Sequence, residues 1–214
     1  MKKIILRVLM VIGAFILIVA GNLVFFNITA SRISKGEPIA NPGSDQTALL
    51  IIDIQEGTTG TISITESYQE QSEALIGNLN RIAKEAVEED WPVIYIRSEV
   101  VNPLLNLLNN TMARGSEGAR MDKRLNILSE YIVTKRKNDS FLNTPLDSIL
   151  VENNIGRVVL TGLDAGHCVD SAVRAALNRN YRVAVIPEAI IAKDKSDIPA
   201  IIDQFRELGV EIIE

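Results

Sequence analysis

The chain alternates between short apolar runs and longer segments whose apolar residues recur at helical spacing. The run at residues 47–54, TALLIIDI, is almost wholly apolar and includes Asp53 near its end, which is typical of a strand covered on both faces. The segment 67–90 carries apolar residues three and four positions apart, which predicts a helix that packs through one stripe. Trp91-Pro92 ends that helix.

The same alternation continues to the end of the chain. Thr144 and Pro145 are predicted as the N-cap and first residue of one helix, and the stretch 102–122 is irregular, with room for a short helix. Strands that alternate with helices predict an α/β fold, a Rossmann-like three-layer sandwich around a six-stranded parallel sheet. Besides 47–54, strands are predicted at 93–96, 131–134, 158–160, 183–186 and 210–213, and helices at 146–152, 168–180 and 198–208.

The first 31 residues follow a different pattern. Lys2, Lys3 and Arg7 precede 24 uncharged residues, 8–31, which as a helix would be about 36 Å long. A bilayer core is about 30 Å thick, so this segment predicts a transmembrane helix. A cleaved signal peptide is the alternative, but its apolar region is usually shorter, and Ile28 stands where a cleavage site needs a small residue.

The basic residues flanking this helix predict its orientation. Those before it outnumber Arg32 and Lys35 after it, so the positive-inside rule places the N-terminus in the cytoplasm and the domain outside, as a single-pass protein of the cell membrane. We therefore divide the chain into a cytoplasmic start and anchor at 1–31, a linker that contains proline and glycine at 32–46, and a single folded domain at 47–214.

The charge of the domain limits the classes of molecule that it is expected to bind. Residues 32–214 contain 19 basic and 27 acidic residues, a formal charge of −8, without a basic stripe or an aromatic-rich run. Nucleic acid is therefore not expected as a partner. A small molecule and the membrane are the expected partners, and a homo-oligomer is left open. The single cysteine forms no internal disulfide, so it does not reveal the compartment.

Candidate chemistry lies at the strand ends. Asp53 ends the first predicted strand, Lys135 follows the third and Cys168 follows the fourth, and the carboxyl ends of parallel strands meet at one edge. Cys168 would attack a carbonyl or imine carbon, Asp53 would take the thiol proton and later give it to the leaving amine, and Lys135 would hold the carboxylate. We expect Lys135 and the helix that starts at Cys168 to lower the pKa of the thiol.

Each of these residues also has a purely structural interpretation. Asp53 could cap a turn, Lys135 could belong to a solvated basic face with Arg136 and Lys137, and Cys168 could be a small buried apolar residue. Only the expectation that all three residues lie close together favours a catalytic role over these structural ones.

His167, the sole histidine, is an alternative base for the cysteine, although adjacent side chains usually point in different directions. No second histidine or cysteine completes a soft metal site, and no glycine-rich nucleotide motif follows the first strand. We therefore predict neither a metal nor a cofactor.

Three segments, in order, resemble the isochorismatase-like cysteine hydrolases. Residues 48–55, ALLIIDIQ, resemble the apolar strand followed by D-x-Q; residues 133–146, with VTK, DSF and TPL, resemble the K…S-x-F…T-x-L segment; residues 162–169, GLDAGHCV, resemble the turn that ends in C-V. The resemblance covers roughly residues 48–192. Each segment alone is weak evidence for the family, but the three together in this order are specific.

The resemblance implies a six-stranded parallel sheet, a catalytic Asp53-Lys135-Cys168 triad and hydrolysis of a C–N bond in a small amide or ureido compound. It also implies a non-proline cis peptide between Leu163 and Asp164, which would turn the N–H groups of Asp164 and Cys168 toward an oxyanion. Four residues are thus predicted to bind the substrate or line the oxyanion site: Gln55, Leu163, Asp164 and His167.

The chain also departs from this family. It lacks the Asp-x-His metal site that the nicotinamidase branch carries after the first strand, which argues against a metal-dependent nicotinamidase. A membrane anchor is unusual for the family. The alternative function is a membrane-tethered module that binds a small molecule with the same fold and performs no chemistry; retention of all three triad residues argues against it.

Overall fold

The N-terminal helix α1 extends from Lys2 to Ala30 in a computed structural model that describes residues 2–214. Its most apolar window has a mean hydropathy of 2.8, and none of that window is buried in the protein. By length and composition α1 can cross a membrane. A signal sequence meets the same criterion, so the span stays a prediction.

The predicted parallel sheet is confirmed. Its six strands are parallel and lie in the order β3-β2-β1-β4-β5-β6. This is the doubly wound order, in which the chain builds outward from β1 in one direction and from β4 in the other. The strands are β1 Thr47–Ile52, β2 Val93–Ser98, β3 Ile132–Lys135, β4 Arg157–Leu163, β5 Arg182–Ile191 and β6 Glu211–Ile212.

Helices cover both faces of the sheet. The first, α2 (Glu66–Glu88), packs its apolar stripe on one face, against residues such as Leu49 and Tyr95. The opposite face carries α4, α5 and α6, against residues such as Leu50 and Ile94. Helix α3, Pro103–Leu108, is the short helix of the irregular stretch. The other helices are α4 Leu146–Glu152, α5 Asp170–Leu177 and α6 Ile198–Glu207.

Several predicted boundaries differ from the structure. Helix α4 begins after Pro145, so Thr144 is not its N-cap, although the Thr144 hydroxyl accepts a hydrogen bond from the N–H of Leu146 at 3.3 Å. Strand β5 continues through Pro187 to Ile191. The pairing register between β4 and β5 shifts after Leu160, and this irregularity admits a proline within the strand.

The segment 32–46 has no helix or strand and lies against the domain. Ile33 and Ile39 pack on the core beneath α4 and α5. The N–H of Ile39 donates to the carbonyl of Arg179 at 2.8 Å, and the Ser44 hydroxyl donates to the carbonyl of Asn154 at 2.6 Å. The predicted linker is therefore held to the surface of the domain along its length.

Candidate active site

The switch point of the sheet lies between β1 and β4, and their carboxyl ends open a crevice there. Gly162 of β4 has φ +105°, and a Cβ at this position would overlap the carbonyl oxygen of Ile52 in β1. Only glycine allows the two central strands to approach this closely. The turns that follow these strands therefore start side by side.

Asp53 follows β1 directly and is buried. Its φ of +60° lies in the left-handed region that few residues other than glycine adopt. The N–H of Asp53 donates to the carbonyl of Ile96 at 2.7 Å, and the Thr58 hydroxyl donates to the Asp53 carbonyl at 2.6 Å. The Ser98 hydroxyl donates to Oδ1 of Asp53 at 2.8 Å. Backbone and carboxylate are therefore both fixed.

Lys135 is the last residue of β3, at the edge of the sheet, and is only 1% exposed. Its side chain reaches the crevice, where Nζ lies 2.8 Å from Oδ2 of Asp53. Nζ also donates to the carbonyl oxygen of Lys137 at 3.3 Å and to Sγ of Cys168 at 3.1 Å. The ammonium group thus joins the carboxylate to the thiol.

Cys168 lies in a π-helical turn, Ala165–Val169, rather than at the first residue of a helix. Within this turn the N–H of Val169 donates to the carbonyl of Asp164 at 3.0 Å. Helix α5 begins only at Asp170, so the predicted helix start was wrong. The wider π-helical turn replaces the simple N-terminus that the sequence pattern suggested.

The direction of the thiol pKa also differs from the prediction. The pKa of Cys168 is raised to about 12, chiefly by burial and also by the Asp53 carboxylate, which hydrogen-bonds the thiol. The Lys135 ammonium lowers it, as expected, but does not outweigh these effects. Burial also disfavours the charged form of Lys135, yet Asp53 and Cys168 raise the pKa of this lysine above its ordinary value. At rest the site holds a neutral thiol beside an ion pair.

Gln55 is fully buried, and both the nitrogen and the oxygen of its side-chain amide form hydrogen bonds within the protein. Nε2 donates to the carbonyl oxygens of Ser98 and Ala119 at 3.0 and 2.9 Å, and Oε1 accepts from the N–H of Ser98 at 2.7 Å. The side chain therefore fixes the end of β2, which carries the hydroxyl partner of Asp53. Its predicted contact with a substrate stays a prediction.

The bond between Leu163 and Asp164 is a cis peptide, at the position that the resemblance implied. Oδ1 of Asp164 accepts from the N–H of Gly166 at 2.9 Å and lies 2.8 Å from Nδ1 of His167. The His167 side chain is 70% exposed. Asp164 thus holds the turn before the cysteine, while the imidazole points to solvent.

Sequence reasoning missed two residues of this site. Ser98 ends β2, and the strand-end argument that found Lys135 applies equally to it. Tyr68 lies in the first turn of α2, where the sequence carries no signal; its hydroxyl donates to Oδ2 of Asp164 at 2.9 Å. Burial raises the pKa of Tyr68 most, and Asp164, Cys168 and Asp53 raise it further, so the hydroxyl that bonds to Asp164 is neutral.

A cavity of about 650 Å³ is lined in part by Ser67, His167 and Lys193. Lys193 also contributes its N–H to Oδ2 of Asp164, at 2.7 Å. Across residues 2–214, no cluster of three or more histidine, cysteine or acidic residues could hold a metal ion. The arrangement offers a nucleophile, a proton acceptor and a cation at one place.

The sequence model of the Isochorismatase domain matches residues 47–214. The chain belongs to the isochorismatase family. An uncharacterised isochorismatase family protein of Bacillus subtilis, YrdC, is 30% identical over 158 residues, 72% of this chain and 79% of that protein. The ureidoacrylate amidohydrolase RutB of Yersinia enterocolitica is 22% identical over 183 residues, 73% of this chain and 79% of that protein.

Solved structures of isochorismatase-like hydrolases share the fold. The N-carbamoylsarcosine amidase of Thermoplasma acidophilum superposes with a TM-score of 0.66 at 26% identity, covering 78% of this chain and 95% of that chain. An isochorismatase-like hydrolase of Alkaliphilus metalliredigens gives a TM-score of 0.68 at 23% identity, covering 78% and 94%. The relatives that this chain resembles thus include amidohydrolases.

Proposed function

We propose that this protein is a membrane-anchored cysteine hydrolase that cleaves a C–N bond of a small amide or ureido compound. The observation that carries the proposal is the convergence of three side chains, with Nζ of Lys135 at 2.8 Å from Asp53 and 3.1 Å from Cys168. The names of RutB and the N-carbamoylsarcosine amidase support the substrate class, because both describe hydrolysis of ureido-type C–N bonds.

In the first half of the reaction Sγ of Cys168 attacks the carbonyl carbon while its proton passes to Asp53. Because the pKa of the thiol is about 12, the thiolate forms during the attack rather than before it. Collapse of the tetrahedral intermediate breaks the C–N bond, Asp53 returns the proton to the leaving nitrogen, and the acyl or carbamoyl group remains on sulfur.

In the second half a water molecule attacks the thioester or thiocarbamate carbon and gives a proton to Asp53. The C–S bond breaks, and the sulfur regains a proton. Lys135 stays charged throughout, because its raised pKa keeps the ammonium, and it stabilises whichever partner carries the negative charge. Each side chain returns to its starting state, and one water is consumed.

The test is turnover of a panel of small amides and ureido compounds by the purified protein. Cys168→Ala should abolish turnover and leave substrate binding largely intact, and Cys168→Ser should be nearly as damaging because a hydroxyl ionises less readily. Asp53→Asn should cost on the order of 10²–10⁴ in rate by removing the proton acceptor.

Chelators should leave the rate unchanged, since the proposed steps use only the three side chains and water. Activity that survives Cys168→Ala, or that EDTA removes, would contradict the mechanism. Binding of a small molecule by wild type and Cys168→Ala, with turnover by neither, would favour the non-catalytic module instead. The alkylation rate of the resting thiol does not separate the two functions, because burial raises the pKa of Cys168 in either case.

The anchor is the second part of the proposal. Helix α1 is 29 residues long, and its apolar surface lies outside the fold, where only a membrane or a partner would cover it. Full-length protein should remain in membranes after a carbonate wash. Its appearance in the soluble fraction at full mass would overturn the anchor and leave the chemistry of the domain untouched.

A further inference from the structure

A cavity of about 710 Å³ lies between the end of α1 and the loops that follow β2 and β3. From α1 it is lined by Asn22, Phe25, Phe26 and Thr29. It lies beside the proposed catalytic group but does not include it, because neither the carboxylate, the ammonium nor the thiol of that group is among its lining residues. Nothing in the proposed reaction uses this cavity.

The charge of the cavity opposes the charge of the domain. Residues 32–214 carry a formal charge of −8, yet the cavity is lined by four basic residues, Arg97, Arg114, Arg136 and Lys137, and one acidic residue, Glu99. Two of the arginines share that carboxylate, at 3.6 and 3.9 Å. The described part of the chain gives Arg136 and Lys137 no ion pair, so the cavity has a net positive charge that an anion would complement.

Direct contacts fix α1 against this side of the domain. Nδ2 of Asn102 donates to Oδ1 of Asn22 at 2.9 Å, and Nζ of Lys137 donates to the Thr29 hydroxyl at 2.8 Å. The same ammonium lies 4.9 Å from the centre of the Phe26 ring. The cations are therefore held at the level of the last two turns of the helix.

The length of α1 places those turns at the membrane surface. Twenty-nine helical residues extend about 43 Å, which exceeds the ~30 Å hydrocarbon core of a bilayer. The C-terminal turns, with Phe25 and Phe26, then lie where acyl chains meet headgroups. Basic side chains at this depth face the phosphates of the lipid.

We propose that this cavity binds the headgroup phosphate of an anionic phospholipid, with the start of an acyl chain against Phe25 and Phe26. Arg136 and Lys137, which have no ion pair within the described residues, supply the phosphate contacts together with the exposed Arg114. The inference rests on the proposed anchor, because α1 forms one wall of the site and sets its depth.

The experiment measures thermal unfolding of the full-length chain in a non-ionic detergent with three additives. Dioctanoyl-phosphatidylglycerol, at about ten times its dissociation constant, should raise Tm by about 3–6 °C. Dioctanoyl-phosphatidylcholine at the same concentration should not, and sn-glycerol 1-phosphate, which has the phosphate but no acyl chain, should give a clearly smaller shift. Native mass spectrometry should show one retained phosphatidylglycerol.

Two double variants carry the same loss of charge at different places. Arg114→Gln with Arg136→Gln removes two cations of the cavity, and the phosphatidylglycerol shift should fall to the phosphatidylcholine level. Arg81→Gln with Arg206→Gln removes two exposed cations from α2 and α6, and the full shift should remain. Unfolding without additive shows whether each variant is folded, and the cavity variant keeps the bonds of Asn102 and Lys137 to α1.

Three outcomes overturn the proposal: equal shifts with both lipids, a shift with glycerol phosphate as large as that with phosphatidylglycerol, or a full phosphatidylglycerol shift in the cavity variant. The second of these would mark a site for a soluble phosphate. Carbonate extraction tests the membrane anchor independently of lipid binding. A protein that stays in the membrane but shows no lipid selectivity keeps the anchor and loses this site.

Discussion

Lys135 determines the arrangement of the other two residues of the site. Its ammonium group bonds to both Asp53 and Cys168, and it neutralises a carboxylate that is itself buried. Removing one member of a buried ion pair leaves an uncompensated charge, which costs far more than removing both. The three residues should therefore behave as a unit in stability as well as in activity.

Lys135→Met should lower the free energy of unfolding by about 3–5 kcal/mol, because Asp53 then keeps a buried charge without its cation. Adding Asp53→Asn to that variant should restore part of the loss. Urea unfolding of the two single variants and the double variant measures this. The control is Lys84→Met, whose exposed pair with Glu88 should cost at most about 0.5 kcal/mol. A double variant less stable than Lys135→Met would contradict the ion-pair interpretation.

The raised pKa of Cys168 predicts a loss of stability in alkali. The folded protein holds the thiol proton up to about pH 12, whereas the unfolded chain releases it near pH 9. Between these values the unfolded state binds fewer protons, so the free energy of unfolding falls as the pH rises. This contribution is fully present below pH 9 and is lost toward pH 12.

Urea midpoints measured across this range for wild type and Cys168→Ala check the effect. The wild-type midpoint should fall more steeply, because the variant lacks the thiol, while Tyr68 and Tyr181, whose pKa values burial also raises, remain in both proteins. The rate of alkylation of Cys168 by iodoacetamide should rise with pH well beyond the range of an exposed thiol. Parallel midpoint curves would show that the pKa is not raised.

The pairing of β1 with β4 decides where the site forms among the secondary-structure elements. The two strands pair over six residues, from Thr47 with Arg157 to Ile52 with Gly162. Asp53 follows one strand, and the turn with Cys168 follows the other. The spacing between Cys168 and Asp53 therefore depends on how closely these strands approach at their carboxyl ends.

Gly162→Ala should destabilise the protein by at least about 2 kcal/mol, because its φ of +105° strains any side chain and the new Cβ overlaps the carbonyl of Ile52. Gly77→Ala is the matched control. Gly77 lies within α2 with nothing within 4 Å of its added Cβ, so this change should stabilise by roughly 0.5–1 kcal/mol. Urea unfolding of both variants shows whether each substitution raises or lowers the free energy of unfolding. A Gly162→Ala variant as stable as wild type would contradict the close approach of β1 and β4.

The whole molecule consists of an apolar helix and a domain whose two cores lie on either side of one sheet. All fully buried apolar residues of these cores lie between Ala48 and Val210. The segment 32–46 adds Ile33 and Ile39 to one of them. The domain should therefore fold without α1, and the segment that connects them should contribute to its stability.

Residues 32–214 expressed alone should be soluble and should unfold in one cooperative transition. A shorter chain, 46–214, should also fold but with a lower Tm, because it loses Ile33, Ile39 and the Ser44 contacts with Asn154. Thermal unfolding by circular dichroism compares the two. Equal Tm values would show that the connecting segment does not stabilise the domain.

The sequence by itself determined the fold class, the order of strands and helices, and which strands precede Asp53, Lys135 and Cys168. Apolar runs, helical spacing and proline or glycine breaks are local properties, so they can be recognised without knowing what each element packs against. Because every strand is parallel, residues such as Asp53, Lys135 and Cys168 had to approach one edge, whatever the details of packing.

Only the tertiary structure decided the chemistry of that edge. The thiol pKa is raised rather than lowered because burial and the carboxylate of Asp53, 115 positions away in the chain, outweigh Lys135. The bond from Tyr68 to Asp164 and the basic cavity at the end of α1 likewise join residues distant in sequence. Electrostatic energies depend on distance and on solvent exposure, and packing sets both, so no local pattern of residues contains them.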